Sequence, residues 1–238
     1  MNKVETFGGW LQQSLLFIKL APWVWGGYTA FVAVLLTIGK VSMALGVLGA
    51  VASLFVGVGV SKYIDMRHNG ETNQPVSWAI NKSLPLALLA GVGIMVCWFV
   101  FMVFANLLSG EYDKILDFFL QLDFSDVHLK RRSVREIASW LYDYATVALM
   151  FTLLMLCTLG SWFSYPLMLF QDYTWSRAKS LGKSTLATRK KALYNMLGFI
   201  FFEALMCGAF TPLLTPVLYM LTSTLMYVSY KNLFEIKA

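Results

Sequence analysis

Apolar residues gather in long runs along this chain, with polar residues between them. Six runs approach or exceed the length, about 20 residues, that a helix needs to cross a bilayer. They are predicted at 22–39, 41–60, 84–108, 145–170, 192–210 and 213–230. Trp23, Trp25 and Tyr28 cluster where the first run begins, as aromatic side chains do at a membrane–water interface. The second run carries Gly46, Gly49, Gly57 and Gly59 with Ala44, Ala50 and Ser53. Small residues let helix backbones approach closely in lipid, so this helix is predicted to be central. Pro85 stands at the head of the third run, where a first helical turn accepts it. Pro166 falls near the end of the fourth, and no run shows a mid-span break.

The stretches between the runs have their own patterns. Residues 6–20 place Trp10, Leu11, Ser14, Leu15, Phe17 and Ile18 at mixed helical spacing among Gln12, Gln13 and Lys19. This predicts an amphipathic segment lying at the interface. Residues 61–83 read as a polar loop. Residues 109–144 form the one long extramembrane segment, with Ile115, Leu116, Phe118, Phe119, Leu120 and Leu122 set against Asp113, Asp117, Asp123 and Asp126. One or two amphipathic helices on the membrane surface are predicted there. Ser133 and Glu136 stand at capping-box spacing just before the fourth run.

Composition agrees with this pattern. The chain is 58% hydrophobic and 13% charged, against about a quarter charged in soluble domains; its mean hydropathy is +0.63. The expected class is an all-α, polytopic membrane protein with six transmembrane helices and amphipathic interfacial helices, one membrane domain over residues 1–238. The net charge of +6 reads as Lys and Arg retained on the cytoplasmic face, not as a nucleic-acid surface. Cys97, Cys157 and Cys207 all lie in apolar runs without metal-ligand spacing and read as small buried hydrophobes. The first residues show no h-region with a small-residue cleavage site, so the first span is expected to direct insertion.

Six crossings place both termini on one side, with the 61–83 and 171–191 segments. Thirteen of the nineteen Lys and Arg fall there, so that side is expected to be cytoplasmic, N-in and C-in. Lys130, Arg131, Arg132 and Arg135 lie on the opposite side, among seven acids. Trp10, Ser14 and Leu15 precede the first span, Trp78, Ser83 and Leu84 the third, and Trp175, Ser180 and Leu181 the fifth. The matches are short, and the first spacing is one residue tighter. Taken as a repeat, they divide the chain into three hairpin units, 6–61, 74–108 and 172–231, with the 109–144 segment between; such repeats occur in transporters and in proteins that transport nothing.

The run YPLMLFQDYTWSRAKSLGKSTLATRKKALYNML, with Pro166, Asp172, Ala178 through Leu181 and Asn195, resembles a segment of six-helix bacterial inner-membrane proteins of unassigned function. The stretches GWLQQSLLFIKLAPWVW and HNGETNQPVSWAINKSLP resemble the entry segment and the middle cytoplasmic loop of the same group. The group is distantly similar to the membrane part fused to some glycerophosphodiesterases. The resemblance implies a six-helix fold, a bacterial origin and a place in the inner membrane, and it carries over no catalytic residues.

Glu203 is the one acid well inside an apolar run. A charged carboxylate at mid-bilayer costs about 2.5–3.5 kcal/mol, so Glu203 is expected to face the bundle interior, to be paired or to be protonated. It reads as a proton or cation site, an anchor for a partner helix, or a neutral carboxyl bonded to a neighbour. Asn106 is the second intramembrane polar candidate. Arg177, Lys179, Lys183, Arg189, Lys190 and Lys191 are candidates for binding anionic headgroups or an acidic partner, or they serve topology alone. Phe118, Phe119, Asp123 and Asp126 are candidates for a periplasmic docking surface, or the apolar ones sit in the membrane surface. His128 with Asp123 and Asp126, and His68 near Asp65, fall short of a metal-ligand set. Gly57 and Gly59 inside a span read as packing, not as a phosphate cradle. No Ser-His-Asp, HExxH or paired-carboxylate pattern is present, so neither catalysis nor a cofactor is expected. Two functions remain. One is a non-catalytic inner-membrane protein acting through protein or lipid contacts, as an accessory subunit of an envelope complex or an immunity or exclusion factor. Its partners are membrane lipids and either another protein or a second copy. The other is a channel or secondary transporter using Glu203.

Overall fold

In the computed structural model, which describes residues 6–111, 114–119 and 133–235, the chain begins with two helices, α1 (Phe7–Leu20) and α2 (Pro22–Leu36). The Thr6 hydroxyl accepts the Gly9 amide and starts α1. Pro22 at the first position of α2 fits the kink at Ala21. A 3₁₀ turn, Thr37–Lys40, leads to α3 (Met43–His68), whose first turn is capped by Ser42. Then follow α4 (Val76–Ser109), the single turn α5 (Lys114–Asp117), α6 (Val134–Thr158) and the short α7 (Ser164–Gln171). The basic segment is a helix, α8 (Trp175–Thr188), followed by α9 (Lys190–Ala209) and α10 (Thr215–Tyr230). A π turn, Lys231–Glu235, extends α10.

Six helical stretches are long and apolar enough to cross a membrane: Pro22–Lys40, Met43–His68, Val76–Ser109, Val134–Thr158, Lys190–Ala209 and Pro212–Glu235. The described residues contain no strand. The Ser133–Glu136 capping box forms as its spacing predicts, each side chain taking the other's backbone amide.

Three expectations are corrected. The polar 61–83 stretch is mostly helix, because Ser61, Tyr63, Ile64 and Asp65 continue the buried side of α3 and only 69–75 connects it to α4. Pro85 lies well inside α4, not in its first turn. Just before it, the Ser83 hydroxyl donates back to the Ala79 carbonyl at 2.8 Å, and the Tyr165 phenol of α7 donates to the Ser83 carbonyl at 3.2 Å. The fourth run does break. It starts at Val134, ends at Thr158, and resumes at Ser164 after a turn through Gly160 and Ser161. The Ser161 amide donates to the Ser164 hydroxyl at 3.0 Å, and Pro166 falls in the first turn of α7, where a missing N–H costs nothing.

The centre of the bundle is α3, as its small residues predict, together with α10. Buried residues make up 72% of the apolar window of α3 and 78% of that of α10, against 22% in α4. Gly57 and Gly59 are two residues apart and so point to different sides of α3. A Cβ on Gly57 would lie 2.5 Å from the Ser223 hydroxyl of α10 and 2.6 Å from the Tyr28 hydroxyl of α2. A Cβ on Gly59 would lie 2.7 Å from Ser83 on α4. Each glycine thus admits a different neighbour, which is the packing role read from the sequence. Tyrosine and serine hydroxyls then tie the helices through backbone carbonyls: Tyr28 to Ser53 at 2.8 Å, Ser223 to Leu54 at 2.8 Å, Tyr219 to Ala145 at 2.8 Å and Tyr144 to Leu36 at 2.6 Å. In lipid such bonds contribute about 0.6 kcal/mol each on average.

The two ends of the bundle carry different groups. Gln13, Gln171, Asn232 and Glu235 meet at the end where α3 and α10 finish. At the other end the Ala44 amide donates to the Phe118 carbonyl at 2.9 Å, and Lys40 lies 4.9 Å over the Trp140 ring.

Gly57→Ala is expected to destabilise the bundle by about 1–3 kcal/mol through overpacking. Gly198→Ala, where a Cβ meets nothing within 4 Å, is expected to be neutral or to stabilise α9 by up to about 1 kcal/mol. Unfolding in mixed micelles followed by circular dichroism compares the two.

Candidate functional site

On α9, Leu193, Met196, Leu197, Ile200, Ala204 and Cys207 repeat at three- and four-residue spacing and form the buried stripe. The stripe packs against α6, α10 and α1. Phe201, Phe202, Leu205 and Met206 face outward. Glu203 lies at the edge of the stripe, neither buried nor fully exposed. It makes no hydrogen bond or ion pair with the described residues. At 1.5 Å per residue it sits about 20 Å from Lys190 and about 9 Å from Ala209, within the apolar length of the helix. Glu203 is thus neither a core carboxylate nor one half of a pair inside the bundle. At the far end of the helix, the Arg135 guanidinium donates to the Ala209 carbonyl at 2.7 Å and closes the last turn of α9.

Asn106 is buried near the end of α4. Its backbone carbonyl and that of Leu107 accept the Gly110 amide at the helix end, but its side-chain amide nitrogen has no hydrogen-bond partner among the described residues. Ser14, Trp25, Trp98 and Thr215 also hold buried polar atoms without a partner.

The basic residues occupy α8 and its junction with α9. Ala178 and Gly182 form the buried side of α8, with Gly182 against Ser161. Arg177, Lys183, Lys190 and Lys191 are exposed, while Lys179 and Arg189 are partly so. Arg177 stacks 4.2 Å over the Tyr173 ring. The two phenylalanines of the candidate docking surface part company. Phe118 is buried, with its ring 5.3 Å from Phe99 of α4, so it packs the α5 turn onto the bundle and does not present a docking surface. Phe119 is 48% exposed. Asp123 and Asp126 lie outside the described residues, as does His128. Of the cysteines, Cys207 is buried, but Cys157 is exposed on the outer face of α6. The three Trp–Ser–Leu segments stand in unlike surroundings: Trp10 and Ser14 are fully buried, whereas Trp175 and Ser180 are exposed.

A polar cluster that the sequence reading passed over sits where α3 and α10 end. The Lys231 ammonium lies 2.6 Å from both oxygens of Asp65, and the Tyr227 phenol donates to the same carboxylate. Beside it, Lys62 pairs with Glu235 at 2.9 Å. Gln171 donates to Tyr230 at 3.1 Å, and Asn232 to Gln13 at 2.7 Å. The cluster joins α1, α3, α7 and α10 at one end of the bundle. Its signal in the sequence was weak. Asp65 and Lys231 are far apart in the chain, and Asp65 stood in what reads as a loop. The spacing Leu54, Val58, Ser61, Asp65, however, continues one helical face. Among the described residues, no group of three His, Cys, Asp or Glu could hold a metal ion.

Comparison of the chain with protein-family models, with curated proteins and with solved structures gives no match.

Removing one member of a buried ion pair leaves an uncompensated charge and costs about 3–5 kcal/mol. The side chains of Lys231 and Asp65 are 21% and 12% exposed, so Lys231→Met is expected to cost about 3 kcal/mol, the low end of that range. Adding Asp65→Asn is expected to recover at least a third of the loss, because the orphaned charge goes. A double-mutant cycle on unfolding in micelles measures both.

Proposed function

We propose that this is a non-catalytic integral membrane protein that holds another membrane-spanning chain against the outer side of α9, with Glu203 as the polar anchor. The observation that carries the reading is the position of Glu203. It lies within an apolar helix, at the rim of the buried stripe, with no partner among the described residues. A carboxyl group facing hydrocarbon costs several kcal/mol if charged, and polar side chains between helices are relieved by hydrogen bonds across the interface. A helix of another chain that offers a donor at this depth meets that requirement. The exposed Phe202 and Leu205 beside Glu203 supply the apolar rim of such a contact.

The rest of the molecule fits this role. The positive-inside count supports a cytoplasmic side for the polar cluster, α8 and the ends of the chain, and the resemblance in sequence supports a bacterial inner membrane as its location. The exposed lysines and arginines of α8 then face anionic headgroups, each contributing about 1 kcal/mol of attraction. In a cell the role is that of an accessory subunit of an envelope complex, or of an immunity or exclusion factor. The alternative, a channel or secondary transporter, draws on the interrupted α6–α7 segment, a feature of transporter folds. It requires a polar route from Glu203 through the bundle. Beside Glu203 stand Ile200, Ala204 and Cys207, all buried, and the centre is filled by α3 and α10.

Glu203→Leu distinguishes the two. It removes no bond to the described residues, so the monomer is expected to keep its stability within about 0.5 kcal/mol, as for other surface substitutions. On native gels of membranes solubilised in mild detergent, the variant is expected to run at the monomer mass while wild type runs in a larger assembly. An unchanged assembly, together with loss of ion flux in liposomes, would favour the transporter instead.

A further inference from the structure

Two adjoining spaces of different character lie along α4, against α3 and α7. The deeper one, also walled by α6, is a cavity of about 360 Å³, within the 300–1,000 Å³ usual for ligand sites. Phe55, Leu89, Gly93, Cys97, Met155 and Tyr165 are among its lining residues, and the lining is almost wholly apolar. Toward the end where α3 and α10 finish lies a second space of about 240 Å³, bounded by Lys62, Tyr63, Trp78, Lys82, Phe170 and Glu235. Both spaces follow one side of α4. Along α4, residues 79, 82, 83, 86, 90, 93, 94 and 97 recur at helical spacing and line first one space and then the other. Tyr165, which lines the first, donates at 3.2 Å to the carbonyl of Ser83, which lines the second, so the two spaces adjoin there.

The charges at the mouth are not balanced. Lys62 and Glu235 pair at 2.9 Å and offset one another. Lys82 has no carboxylate partner among the described residues and lies 5.5 Å over the Trp78 ring. The fifteen residues from Lys82 to Cys97 span about 22 Å, half of a bilayer that is about 40–45 Å thick with its headgroups. A cationic, aromatic mouth above an apolar chamber one leaflet deep is complementary to an amphiphile carrying a negative charge.

We infer that these two spaces together bind one anionic phospholipid, with an acyl chain in the deep cavity and the headgroup phosphate beside Lys82. The site is independent of Glu203, which lies on α9, outside the lining of either space. Two variants address its two halves. A Cβ on Gly93 meets nothing within 4 Å, so Gly93→Leu fills the chamber without moving the backbone. Lys82 is exposed, so Lys82→Glu reverses the charge at the mouth and leaves the fold alone.

The test is native mass spectrometry of the purified full chain, exposed in detergent to phosphatidylglycerol, to phosphatidylcholine with the same chains, or to palmitate. Wild type is expected to retain one phosphatidylglycerol and neither of the others. Each variant is expected to lower that retention about tenfold or more. Equal retention of phosphatidylcholine, retention of palmitate instead, no retained lipid in wild type, or unchanged retention in Lys82→Glu overturns the assignment. Should Gly93→Leu fail to fold, Lys82→Glu alone decides, since its side chain is exposed.

Discussion

The close approach of α3 to three neighbours is the contact on which the rest of this bundle depends. In lipid, helices gain nothing by hiding apolar surface from one another, so association rests on close packing and on hydrogen bonds between helices. Gly57 and Gly59 supply the first, admitting α2 and α10 on one side and α4 on another. The hydroxyls of Tyr28 and Ser223 supply the second at the same level, each donating to a carbonyl of α3. A side chain at Gly57 would push α2 and α10 away and lengthen those bonds, and one at Gly59 would push away α4. With α3 and α10 so buried, the centre is filled by packed side chains, and polar groups are left to the ends and the outer faces.

That division explains why two intramembrane or near-membrane carboxylates have such different surroundings. Asp65 is nearly buried, but it lies at the end of α3, where Lys231 and Tyr227 from the parallel α10 reach it. The π turn after Tyr230 lets Glu235 meet Lys62 in the same cluster. Together these pairs close one end of the bundle. Glu203 is the reverse case. It has more access to its surroundings and no partner among the described residues, in the region where a partner matters most. The first carboxylate is explained by the fold; the second asks for something outside it.

The fold was largely readable because the strongest signal, long apolar runs, reflects a requirement that lipid imposes on every residue at once. The central place of α3 was readable from its glycines. The part that was not readable involved exceptions settled by distant partners. Pro85 and the 61–68 stretch looked like helix ends, yet Tyr165 and Lys231, far along the chain, support helix there. The α6–α7 break was hidden because Gly160 and Ser161 interrupt a run that stays apolar on both sides. The Asp65 cluster escaped notice for the same reason, since its members are joined only in space. Glu203 was visible as a candidate from its rarity, but the face it occupies depends on which residues of α9 pack inward, and all of them are apolar.

The functional account stands on the outer side of α9 being covered in the membrane. Photocrosslinking reads this directly. A photoreactive amino acid at Phe202, 57% exposed on α9, is compared with one at Phe101, 63% exposed on α4, in intact membranes. The account predicts one discrete protein adduct from position 202, lost when Glu203→Leu is added, and none from position 101. Adducts to lipid alone from both positions would contradict it.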